Sequence, residues 1–119
     1  PCIFYGTELP LDGASDPDCR RTFDWSFTSQ DKGYAEKLKE LLSLRARETL
    51  QSGKFRVRAE NGLLVVERAG KGEIVTAYFN RSDRPSAAVG GKVLFENQCK
   101  MSAKGSVLLP NGTLVVTKE

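Results

Sequence analysis

The sequence contains no histidine. Within this chain that excludes Ser-His-Asp and Cys-His catalysis and any His-ligated metal site. Cysteine is scarce and odd in number: Cys2, Cys19 and Cys99, with no C-x-x-C spacing. Such a set reads as buried or half-buried free thiols, with a single disulfide as the alternative. Free thiols suit a reducing compartment, so the expected location is the cytoplasm. No apolar run approaches the ~20 residues that cross a bilayer, and no charged stretch leads into an apolar one as in a signal peptide. No membrane partner is expected. Charge of one sign is lacking too: 18 Lys and Arg stand against 15 Asp and Glu, a formal net charge of +3. The basic residues lie scattered among acids, without the basic stripe that meets nucleic acid. Nothing in the chain calls for a cofactor. What is present is an ordinary globular composition, 39% apolar and 28% charged over 119 residues, enough for one modest core.

Three regions follow one another. In residues 1–30, CIFY has strand-like composition and ends at Gly6; Pro10, Gly13, Asp16 and Pro17 then make residues 9–24 a loop. Residues 31–52 read as one helix. Ser29 or Asp31 caps it, Tyr34, Leu38, Leu41, Leu42 and the Arg45 stem share a face, and Gly53 is placed for a left-handed cap. From Lys54 the period becomes strand-like. KFRVRAE and LLVVERA flank Asn61-Gly62, a hairpin signal; EIVTAYFN, KVLFEN, SVLLP and TLVVTK follow, with a loop at 82–86 and a second Asn-Gly at 111–112. About six or seven short strands at such spacing predict a small antiparallel sandwich. The buried face is expected to carry Val57, Leu64, Val66, Ile74, Val107 and Val115. Phe55, Tyr78, Phe79 and Phe95 are expected in the core or in cross-strand pairs.

The crowded polar stretch is the loop: Glu8, Asp12, Asp16, Asp18, Arg20, Arg21 and Asp24, with Trp25 behind. Two readings stand side by side. These are turn and solubility residues, with Arg20 pairing to Asp16; or carboxylates, guanidinium groups and an aromatic line a sugar site. Asp16 and Asp18 do not make a glycosidase pair, since two acids flanking a proline give no sign of the ~5 Å separation across a scissile bond. Asn80-Arg81-Ser82 and Asn111-Gly112-Thr113 match the glycosylation sequon, but Asn is favoured at turns for its own reasons.

The opening, PCIFYGTE…DPDCRRTFDW, resembles the end of the catalytic barrel in the α-amylase family of glycoside hydrolases. That family carries G-x-P-x-I-Y-Y-G-x-E on its eighth barrel strand, then a loop with D-P-x-x-R and an aromatic. Cysteine in both places is most like the neopullulanase, cyclomaltodextrinase and maltogenic amylase group. LLSLRARETLQSG resembles the last barrel helix, and GLLVVERAGKGEIVTAYFNRS the C-terminal β-sandwich. Two departures are Phe4, where the family usually has Tyr, and Thr7, where this group often has Asp.

The resemblance implies a mainly β chain: a small antiparallel β-sandwich at 53–119, preceded at 1–52 by the last strand, loop and helix of a (β/α)8 barrel, with Pro1 at a cut edge inside the eighth strand. It implies that the parent is a retaining glycosidase acting on maltodextrin, pullulan or cyclodextrin. Its catalytic carboxylates would lie on earlier strands, so this chain has none and is expected to be inactive alone. Asp16 and Arg20 would hydrogen-bond a sugar ring, and Tyr5 and Glu8 would shape the barrel mouth, with Tyr5 more a packing residue than a contact to sugar. The expected partners are an α-glucan oligosaccharide and the missing barrel. The alternative is a stand-alone carbohydrate-binding or interaction sandwich, which would not need the strand-loop-helix start.

Overall fold

Asn61 and Gly62 both take positive φ, 51° and 76°, the backbone a two-residue hairpin loop demands and Asn-Gly supplies with little strain. The strands they join, β1 (Lys54–Glu60) and β2 (Leu63–Ala69), pair antiparallel from Lys54↔Ala69 to Glu60↔Leu63. The computed structural model describes residues 2–23, 25–26, 29–88, 90–102 and 105–119, with 29–31 described for backbone alone. In it the hairpin opens an antiparallel β domain completed by β3 (Ile74–Asn80), β4 (Ser86–Ala88), β5 (Lys92–Ser102) and β6 (Gly105–Lys118). The sheet runs β1-β2-β3-β6-β4, and β5 also pairs with β6.

The second Asn-Gly behaves differently. SVLLP and TLVVTK are not two strands around a hairpin but one strand, β6, of 14 residues. Asn111 still takes positive φ, 59°, yet here it bends a continuous strand. Gly112 is required by close approach: a Cβ would lie 2.6 Å from the Gln98 carbonyl oxygen and 2.7 Å from that of Leu109. Across the bend, β5 is irregular at Asn97/Cys99; a second irregularity, at Val93/Phe95, lies opposite Val116 and Val115. The two long strands therefore fold over together. The first half of β6 pairs with β4 and the second half with β3, so Leu108 closes onto Leu63, Val65, Tyr78, Leu114 and Val116. Burying each such side chain contributes about 1.5–3 kcal/mol. The expected loop at 82–86 is shorter, because Ser86 already belongs to β4.

That closed face is not the one expected. Of the six residues assigned to the buried face, Val115 is buried and Val66 half-buried, while Val57, Leu64, Ile74 and Val107 are exposed. The reason lies in the double apolar runs LLVV and TLVV, which put large side chains on both faces, so alternation alone cannot choose between them. Register decides: Val57, Val66, Ala77 and Val115 form one row across the sheet, whereas Ile74, opposite Ala69, points to the other side. The row's own face is covered at one end, where Leu44 and Leu50 pack on Val75, Phe95 and Val115. At the other end it stays open, with Phe55 57% exposed, the Arg68 guanidinium 4.9 Å over its ring.

Leu44 and Leu50 also explain why residues 31–52 are not one helix. Six positions apart, they would stand about 120° apart around a straight helix. α1 (Ser29–Ser43) passes instead into a 3-10 turn (Leu44–Ala46), an extended Arg47, and a short α2 (Glu48–Ser52). This break lets both leucines face the sheet. Gly53 is extended, at φ −61°, rather than left-handed; glycine is needed because a Cβ would sit 2.4 Å from the Thr49 carbonyl oxygen. The chain divides into two compact units, Pro1–Ser43 and Leu44–Glu119, so α2 packs with the β domain. In the first unit, residues 2–4 are not a strand; a single β segment has no ladder to join without neighbours. Tyr34, Leu41 and Leu42 on α1 remain exposed, and Leu38 is half-buried.

Candidate functional site

The polar loop is built from two locally bonded arms. In the first, Gly6 at φ +84° accepts from the amides of Leu9 and Leu11 on its carbonyl, each at 3.1 Å. In the second, a 3-10 turn (Asp18–Arg20) follows the cis Asp16-Pro17 bond, with the Asp18 amide on the Ser15 carbonyl and the Arg20 amide on that of Pro17. This turn brings Arg20 back over Asp16. Arg20 Nε donates to Asp16 Oδ1 at 2.8 Å and Nη2 donates to both carboxylate oxygens, a fork that suits guanidinium geometry. Both side chains are about two-thirds exposed. The Cys19 thiol lies 3.9 Å from the same Oδ1.

Tyr5 and Glu8 occupy the other arm. The Tyr5 hydroxyl donates to the Arg21 carbonyl at 2.9 Å, and its ring tilts against Phe4 with centroids 4.8 Å apart. Glu8 is half-buried. A cleft of about 280 Å³ opens between the arms, lined by Tyr5, Leu11, Asp12, Cys19, Arg21 and Tyr34 among others. A second cleft runs from Asp12 and Arg21 to Trp25, whose ring tilts against Phe23. Of the four residues singled out from sequence, Tyr5 lines the first of these two clefts and the other three line neither, while Asp16 and Arg20 form their own exposed pair. Asp12 and Arg21 line both clefts; their place in the polar run was legible, but which side of the loop they face was not. Asp24 lies outside the described residues, as do the Ser29 and Asp31 side chains.

The cysteines are free thiols, and contrary to expectation Cys2 and Cys19 are exposed. Burial raises the Cys99 thiol above its ordinary pKa. Among the described residues no group of three or more His, Cys, Asp or Glu side chains could hold a metal ion, and no helix is long and apolar enough to cross a membrane. Asn80 is fully buried. Its amide donates to the carbonyls of Arg84, Leu108 and Leu109, and its oxygen accepts from the Ser82 amide and hydroxyl. The first sequon is thus a structural staple.

No family model matches the chain. A cyclomaltodextrinase of Thermoanaerobacter pseudethanolicus is 31% identical over 98% of this chain and 22% of its own length. Neopullulanase 2 of Thermoactinomyces vulgaris is 49% identical over 40% of this chain and 8% of its own. An intracellular maltogenic amylase of Bacillus subtilis is 44% identical over the same shares. The chain thus spans less than a quarter of the length of these curated relatives. The crystal structure of a maltogenic amylase from S. marinus superposes with a TM-score of 0.73 at 25% identity, covering 97% of this chain and 16% of that one.

Proposed function

This chain belongs to the α-amylase family of glycoside hydrolases, as the counterpart of a C-terminal part of its neopullulanases, cyclomaltodextrinases and maltogenic amylases, and from this we propose that it serves a retaining glycosidase acting on α-glucans. In that enzyme, residues 1–52 complete the catalytic barrel and residues 53–119 form the accessory β domain. The parent cleaves links in maltodextrin, pullulan or cyclodextrin through a covalent glycosyl intermediate, using two carboxyl groups this chain does not carry. Alone, the chain turns over none of them. The exposed apolar row Tyr34, Leu41 and Leu42 on α1 supports a packing partner in the remaining barrel. Free thiols and the intracellular name of one relative favour the cytoplasm.

The observation that carries the reading is the Asp16–Arg20 fork, exposed on the loop just after CIFYG, where a barrel directs its loops at substrate. Asp16 and Arg20 hydrogen-bond a sugar ring away from the cleavage point, and Tyr5 and Glu8 shape the mouth. Arg20→Ala in the full-length enzyme tests it. Losing a charged hydrogen bond costs about 1.5–3 kcal/mol, roughly ten- to a hundredfold in kcat/KM, and the loss should grow with maltooligosaccharide length. The pairing itself favours a second reading, in which Arg20 only staples the loop. That predicts lower stability and equal losses on every substrate. Unchanged kcat/KM across the series would end the substrate-binding claim.

A further inference from the structure

We propose that Tyr5 is a positioning residue, whose hydroxyl, through the Arg21 carbonyl, holds the Asp16–Arg20 fork in the orientation that meets sugar. This inference rests on the substrate role of that loop proposed above. The hydrogen bonds within each arm are local, from Phe4 to Leu11 and from Ser15 to Arg20. They shape the arms without joining them. The bond from Tyr5 to Arg21 spans sixteen positions and ties the start of the first arm to the end of the second.

Its acceptor sits one peptide beyond Arg20. A displaced Arg21 carbonyl turns the chain that carries the Arg20 side chain, and a misplacement of about 1 Å at a binding group is costly. The Asp16–Arg20 pair, four positions apart, survives such a turn as a unit, so its aim changes while its internal bonds persist. The Tyr5 ring, 45% exposed, also makes contacts that do not involve its hydroxyl, against Phe4 and along the cleft with Leu11. Gly6 beside it is buried and takes φ +84°, a conformation that favours glycine, with the Leu11 side chain against it. Removing the hydroxyl therefore removes the tie and leaves the packing.

The test is Tyr5→Phe, Arg20→Ala and the double variant in the full-length enzyme, with kcat and KM measured on short and long maltooligosaccharides and Tm followed in parallel. Tyr5→Phe is expected to lower kcat/KM on long substrates about three- to tenfold, with Tm nearly unchanged. In the Arg20→Ala background the same change should cost nothing further, because the group it positions is gone. An equal loss in both backgrounds would overturn the inference, since Tyr5 would then act elsewhere. So would normal kinetics for Tyr5→Phe beside impaired Arg20→Ala, which would leave the loop's substrate role standing. If Arg20→Ala is itself unimpaired, the substrate role falls and the positioning claim falls with it.

Discussion

Replacing Asn80 with alanine should destabilise the β domain more than any surface substitution in it. Asn80 has no exposed surface, and its amide serves three carbonyl oxygens, at 2.7 Å to Arg84 and 3.1 Å to Leu108 and Leu109. The Leu108 carbonyl is reached in a buried setting and has no water to turn to once the amide is lost. An unsatisfied acceptor there costs about 1–3 kcal/mol. Arg84 is exposed and Ser82 half-buried, so their groups recover water and each lost bond costs only about 0.5–1.5 kcal/mol. Because the bonds share one side chain, their losses do not add fully, and about 3 kcal/mol is the working figure. In a domain of this size that lowers Tm by roughly 12–24 °C. Asn80→Asp keeps the shape but turns an acceptor toward three carbonyls. Its carboxyl is best accommodated neutral, so its folded pKa rises and its deficit should widen as pH climbs above about 4. Thermal and urea unfolding followed by circular dichroism give both numbers, with Asn111→Asp as the exposed control. An Asn80→Ala variant within 0.5 kcal/mol of wild type would refute the argument.

Glu73 accepts from Thr49 and Thr117 and pairs with Arg47; with the Thr49 hydrogen bond foremost, these hold its carboxyl below the ordinary 4.5 despite the opposing cost of burial. A lowered folded pKa means stability that is present above the unfolded value and lost as pH falls through the folded one. The Tm gap between wild type and Glu73→Gln should therefore close in acid; a gap independent of pH would contradict it. Gly112→Ala forces a methyl onto two backbone oxygens and should cost about 1–3 kcal/mol, as at other overpacked sites. Gly90→Ala meets open space without positive φ and should be neutral or stabilising by about 0.4–1 kcal/mol; denaturant midpoints distinguish the two. The purified chain, assayed on maltotriose, pullulan and β-cyclodextrin, should release no sugar above the buffer blank, and turnover that survives repurification would defeat that expectation.

The same dipeptide marks the border between what is local and what is not. Asn61-Gly62 was legible as a turn, because a two-residue loop between alternating strands needs positive φ at both positions and little else competes. Asn111-Gly112 carries the same preference, yet it became a bend within β6, because strands on either side of it pair with both halves. The change of period at Lys54 and the antiparallel class were likewise written in side-chain order. So was the family, through the cysteine-bearing opening motif. Which face of the sheet closes was not, since LLVV and TLVV offer apolar groups to both, and only the fold-over at Pro110–Gly112 selects Leu63, Val65 and Leu108. The interruption at Arg47 was hidden for a related reason: helical spacing over 31–52 is favourable locally, and it yields to Leu44 and Leu50 reaching the sheet. In the loop, Asp16 and Arg20 were readable as a pair because four positions separate them. The Tyr5 tie to Arg21 was not, because its sixteen-residue span depends on the path of every residue between. Residue order determines which groups are available and which neighbours meet within a turn or a helix; contacts between distant segments exist only once the chain has closed, and those contacts decided the buried face, the bend and the tie between Tyr5 and Arg21.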